Sequence, residues 1–156
     1  MRLRLAALAI LLAPSIPRPV GACSLAAPNG GPHELDPAES SDTVAPGAVD
    51  VQVSLYDGQR ERGCSQSTCG DLPPAVHLVI TSSDNRTPPE LLGYRLRVVR
   101  GQPPVGSQIP SEAVRTTGNL IYFNHSEDDS FDFDLEVRAV DLNGNLGPAT
   151  VVTIES

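Results

Sequence analysis

The chain of 156 residues has no lysine and no tryptophan, and phenylalanine and tyrosine supply only 4% of it. It also carries only three cysteines, Cys23, Cys64 and Cys69. Each scarcity excludes something. All 11 basic residues are arginine, set against 19 acidic ones, for a net charge of -8. Phosphate backbones are bound by clustered cations, so nucleic acid is excluded as a partner, and anionic lipid headgroups repel the chain. The few aromatics leave a sugar-stacking platform or an aromatic cage without support. No His-Glu-x-x-His or Gly-x-Ser-x-Gly pattern occurs, and His33, His77 and His125 stand far apart in sequence. We therefore expect no enzyme, no catalytic residues and no cofactor. The length suits one domain and is short for two.

What is present begins with an export address. Arg2 and Arg4 precede Leu5 to Ala13, an apolar run of nine residues. A membrane span needs about 20 residues, so this run reads as the core of a signal peptide over 1–22. Val20-Gly21-Ala22-Cys23 ends the leader. Small residues there suit a signal peptidase, and the same four residues resemble a bacterial lipobox with Cys23 lipidated. Loss of the leader removes Arg2, Arg4 and Arg18, taking the charge from -8 to -11. Export implies an oxidising compartment. Cys64 and Cys69 then form a disulfide across a small loop inside a polar, glycine-bracketed insertion at 59–70. A bridge closing so short a loop contributes about 2 kcal/mol in the chain-entropy model. A metal site would need two more ligands, and the nearby histidine is His77 alone. Lipidation accounts for the remaining thiol, Cys23; an intermolecular bridge is the rival.

Residues 23–47 are rich in Pro, Gly, Ser and acids and poor in apolar side chains. Such a composition cannot offset its ordering entropy, so the segment is expected to be a flexible tether. The other reading is an arm along the domain edge, anchored by Leu35.

From residue 48 the pattern changes to period two. Phe131, Phe133, Leu135, Val137 and Ala139 alternate with Asp132, Asp134, Glu136 and Arg138. Strict alternation means a strand with one face in a core and one in water. Val49–Tyr56, Ala75–Thr81, Leu92–Arg100 and Thr150–Glu155 read as strands too, and Asn119–Phe123 as a short one whose inward face is undetermined. Asp57-Gly58, Leu72-Pro73-Pro74, Pro88-Pro89 and Asp141 to Asn145 are breaks between them. This is an all-β, antiparallel β-sandwich of about seven strands occupying 48–156.

The stretches LVITSSDNRTPPELLGYRLRVV and LEVRAVDLNGNLGP resemble the second and third strands, and the sixth strand with its following loop, of fibronectin type III and bacterial immunoglobulin-like domains. The resemblance covers 75–155. Ile80 and Leu135 stand near the family's usual Trp and Tyr positions. The resemblance implies an immunoglobulin-like sandwich in which the third and sixth strands are antiparallel neighbours. Arg95 and Arg97 would then share an outer face with Asp134 and Glu136, as ion pairs across strands.

A hard cation is the sharpest chemical candidate. Asp141-x-Asn143-x-Asn145 matches the first three ligand positions of an EF-hand loop, but Leu146 and Val152 occupy the later glycine and glutamate positions. Glu127, Asp128 and Asp129 could instead cooperate with Asp84. The expected function is a non-catalytic interaction or structural module of the cell envelope, held to the membrane only through lipid on Cys23. Its address is the outer membrane or periplasm, and its partner is an envelope or extracellular protein that the sequence does not identify. The alternative is a secreted calcium-binding or hydrolytic sandwich domain.

Overall fold

The computed structural model describes residues 30–36, 38, 41–58, 73–126 and 128–156. The leader, Cys23, Cys64 and Cys69 lie outside the described residues. Seven strands are described: β1 (Asp50–Tyr56), β2 (Ala75–Thr81), β3 (Gly93–Gln102), β4 (Val114–Arg115), β5 (Leu120–Asn124), β6 (Asp132–Val140) and β7 (Thr150–Glu155). They form two antiparallel sheets, ordered β1-β2-β5 and β4-β3-β6-β7.

The alternation of β6 explains why the sheets close on each other. Phe133, Leu135, Val137 and Ala139 are fully buried, while the residues between them face outward. Val76, Leu78 and Ile80 of β2 meet them from the other sheet, with Ile121 and Phe123 of β5. The Phe123 and Phe133 rings lie 6.0 Å apart between the sheets. The inward face of the short strand, undetermined from sequence, is therefore Ile121 and Phe123. Leu92, Tyr94 and Leu96 enter the same core as expected, and Val98 packs at its margin.

One expected core strand is only half in the core. Val49 is buried, but Val53 and Leu55 of β1 are 37% and 44% exposed. β1 is an edge strand, with a neighbour on one side only. Contact with the opposite sheet is made at its start, where the Thr150 hydroxyl donates to the Val49 carbonyl at 2.7 Å.

The outer face of β3 and β6 follows a register that slips once, between Val98 and Arg100. Arg97 is opposite Glu136 and pairs with it at 3.1 Å, on the shared outer face that the resemblance implied. In that same unshifted register Arg95 lies opposite Arg138 and forms no ion pair among the described residues. Beyond the slip, Asp134 is taken by Arg100 at 2.7 Å. Arg100 also reaches Asp132 at 2.8 Å. The guanidinium of Arg100 and the Thr153 hydroxyl hold the Asp134 carboxyl below the usual carboxylate range.

The stretch read as a tether contributes described residues too, and these lie against the sandwich. Arg115 N donates to Gly31 O and His33 N to Ala113 O, each at 2.9 Å, and Pro32 bridges to Val114. Asp36 N donates to Leu142 O. The His33 ring lies over Gly93, where a Cβ would collide with it. Leu35 is 57% exposed, so backbone pairing and His33, rather than Leu35, hold this strap.

Two outcomes test this fold. Leu78→Ala should cost about 2–5 kcal/mol, as a cavity in a closed core does; Leu55→Ala should cost well under half of that in the same urea titration. Acid should separate the wild type from Arg100→Gln. A carboxyl whose folded pKa is lowered gives stability above its unfolded pKa of about 3.9, and loses it as pH falls through the folded value. The variant should therefore lose less stability than the wild type on going below pH 4.

Candidate metal centre

Antiparallel register sorts the loops into two ends. Gly93 is paired with Val140, and Asp50 with Thr81, at one end; Gln102 is paired with Asp132, and Ala75 with Asn124, at the other. The first end gathers three segments: the strap before β1, the loop after β2 and the loop after β6. Each brings one aspartate. One carboxylate oxygen of Asp42, of Asp84 and of Asp141 lies within 4.8 Å of the other two. Asp42 is 6% exposed and Asp141 is fully buried, while Asp84 is half-buried.

Each aspartate is fixed by its own loop. Asp84 Oδ2 accepts from Arg86 N at 3.0 Å and Thr87 N at 2.7 Å. Asp42 Oδ1 accepts from Val44 N at 3.0 Å. Asp141 Oδ1 accepts from the backbone N–H groups of Asn143 and Asn145, both at 2.8 Å. That tight loop requires positive φ at Gly144, +85°. The amide of Asn145 ties two of the segments together, donating to Asp141 Oδ2 at 2.7 Å and to the Asp42 carbonyl at 3.0 Å. Asp141 also accepts from His33 Nε2 at 2.8 Å through its backbone carbonyl. At Asp84 burial pushes the pKa up, but donation from the backbone of Thr87, Arg86 and Asn85 outweighs it and the carboxyl sits below its ordinary value.

These hydrogen bonds leave specific atoms over. Asp42 Oδ2, Asp84 Oδ1 and Asn143 Oδ1 are buried and accept no hydrogen bond among the described residues. Among the described residues no arginine or histidine forms an ion pair with any of the three aspartates. Two unit charges 4–5 Å apart repel by about 3–4 kcal/mol at an effective dielectric near 20. Carboxylates gathered this closely, with no ion-pair partner among the described residues, repel one another, and a cation between them would turn that contact attractive. The donor set is oxygen only, which selects a hard cation. Calcium takes 6–8 oxygen ligands in flexible geometry, whereas magnesium keeps several waters and rarely occupies an all-protein cage.

Asp141, Asn143 and Asn145, read from the sequence as calcium candidates, are placed differently by the fold. Asp141 lies in the cluster. Asn143 presents its unpartnered Oδ1 from the same loop, but Asn145 turns its amide nitrogen to Asp141 and acts as a donor. The ligand atoms come from three segments and not from one EF-hand loop. Asp84 belongs to the group; of the acidic run read with it, Glu127 lies outside the described residues, and Asp128 and Asp129 precede β6 at the far end, where Asp129 Oδ2 accepts from Ser126 N at 2.8 Å. Asp42 was missed. It sits in a Pro/Ser-rich stretch whose composition reads as tether, and no local spacing marks it; only its tertiary position does.

Comparison with protein-family models, with curated proteins and with solved structures returns no match. The geometry therefore stands on its own.

Asn145→Ala removes two donations, one of them to a buried carboxylate. A hydrogen bond to a charged group is worth about 1.5–3 kcal/mol, so we expect a loss of that size by chemical denaturation. Amide exchange should accelerate at Val44, beside the freed strap, more than at Leu135.

Proposed function

We propose that the chain is an exported, non-catalytic interaction module of a bacterial envelope, a fibronectin type III-like sandwich whose strap is clamped by calcium. The observation that carries this reading is the convergence of Asp42, Asp84 and Asp141, with Asp42 Oδ2, Asp84 Oδ1 and the nearby Asn143 Oδ1 buried and without a hydrogen bond among the described residues. The strand order β1-β2-β5 and β4-β3-β6-β7 supports the immunoglobulin-like topology that the sequence resemblance implies. The leader pattern and Cys23 support export and a lipid anchor.

A cation in this cluster would act on structure rather than on a substrate. Two of its three carboxylates are buried, which leaves little of the coordination sphere open to an outside molecule. It would join the strap to both loops of one end and so fix the direction in which the chain enters the domain. On a module anchored at Cys23, that sets how the sandwich is presented away from the membrane. The β1 edge and the loops are the surfaces a partner protein would use.

Thermal unfolding with calcium and with chelator tests the clamp. At calcium 100 times above its Kd the gain is about 2.7 kcal/mol, a rise of roughly 10 °C or more for a domain of this size. Asp42→Asn should abolish that rise. In chelator the same variant should melt higher than the wild type, because one of three like charges is gone. An unchanged melting temperature in calcium and chelator would remove the cation reading. The address is tested separately by intact mass: diacylglyceryl on an N-terminal Cys23 supports the anchor, and an unmodified Cys23 supports secretion.

A further inference from the structure

The outer face of β3 and β6 carries an arrangement that stability does not explain. Arg95 stands directly opposite Arg138, and like charges so placed are destabilising. Glu136 serves two arginines, Arg97 at 3.1 Å and Arg138 at 3.2 Å, while Arg95 makes no ion pair among the described residues. Three cations and one carboxylate therefore meet in a chain whose net charge is -8. With Leu146 they line a hollow of about 240 Å³. Arg95 and Leu146 are also the wall shared with a second hollow of about 380 Å³. That second hollow is mostly apolar, with Leu35, Ala113 and Val140 in its lining and Glu112 as its acid. Leu35 and Leu146, 57% and 41% exposed, are apolar side chains left in water beside the cations.

We propose that this double hollow is a docking groove for an acidic peptide segment of a partner protein, with a carboxylate seated between Arg95 and Arg138 and the adjacent apolar side chain lodged between Leu35, Val140 and Leu146. The chemistry follows from the lining. A guanidinium presents a planar fork of donors that matches a carboxylate in two parallel hydrogen bonds. Arg95 has its donors uncommitted to any carboxylate, and Arg138 commits its Nε to Glu136. An incoming carboxylate would turn the repulsive Arg95–Arg138 contact into a bridged one. The apolar hollow next to it gives side-chain selectivity, so the preferred sequence is an acidic residue or chain terminus with an aliphatic neighbour. A membrane surface is the weaker match. The cations sit in a recess, and the remainder of the chain is acidic and repels anionic headgroups. The groove is built without the cation cluster and does not rest on it.

The test uses the mature chain, isotope-labelled, and follows the arginine Nε–H resonances. The probe is N-acetyl-Gly-Ser-Asp-Leu with a free C-terminus. Its controls are the same peptide with Asn for Asp and an amidated end, inorganic phosphate, and vesicles containing phosphatidylglycerol. We expect saturable shifts at Arg95 and Arg138 with the acidic peptide and at least tenfold weaker binding of the neutral one. Arg95→Gln should weaken the acidic peptide at least tenfold while leaving the melting temperature unchanged or higher. Leu146→Ser should weaken it several-fold with the arginine shifts retained, which separates the apolar hollow from the charge. Competition of phosphate for the bound peptide would support the carboxylate seat. Peptide shifts that persist unchanged in Arg95→Gln, equal binding of the neutral peptide, absence of binding, or vesicle binding in preference to peptide would each overturn the proposal.

Discussion

The row Phe133, Leu135, Val137 and Ala139 is the constraint on which the rest depends. All four are sealed from water, and they come from a central strand with a hydrogen-bonded neighbour on each side. A strand shows only one face to the core, so burying these four fixes Asp132, Asp134, Glu136 and Arg138 on the outside. A slip by one residue would bury the charges and expose the row. Register at β6 is thereby set firmly, and β3 and β7 inherit it through their ladders. The loops at the two ends follow, because antiparallel pairing decides which connections come together. The aspartate cluster is thus a consequence of the core: Asp84 and Asp141 leave β2 and β6 at the same end.

That end is held in an unusual way for so acidic a chain. The strap is attached by backbone pairing to β4, by the His33 ring over Gly93 and by the Asn145 amide. Each is a modest, polar attachment. Against them stands the mutual repulsion of three carboxylates, two of them buried. A divalent cation at this cluster, as proposed above, would meet carboxylate oxygens already gathered by the fold.

The outer face of β3 and β6 divides its charges along its length. Toward the Gln102 end, Arg100 with Asp132 and Asp134 is satisfied, and Thr153 adds its hydroxyl to Asp134 at 2.8 Å. Toward the Gly93 end the cations outnumber the acids. The slip between Val98 and Arg100 delivers Arg100 to the acids, while the unshifted part of the ladder sets Arg95 opposite Arg138. Exposed ion pairs of this kind contribute little to stability, so the unequal distribution matters for what the face attracts.

The sequence alone determined the strands and their inward faces wherever alternation was strict. β2, β3 and β6 were legible to within a residue or two, because burial of one face is recorded in every second side chain. It determined less at β1, where the apolar alternation is equally clean but Val53 and Leu55 stay half in water; edge position is a property of the sheet and leaves no mark on the strand. Only tertiary structure decided the rest. Asp42 joins the aspartate cluster because a segment with tether-like composition lies against the end of the sandwich, and Arg95 has no acid because the ladder sets it opposite Arg138. Periodicity reports what each residue does relative to its own strand. Which charges from distant strands come to share a few ångströms is set by register and packing, and those are solved only by the folded chain.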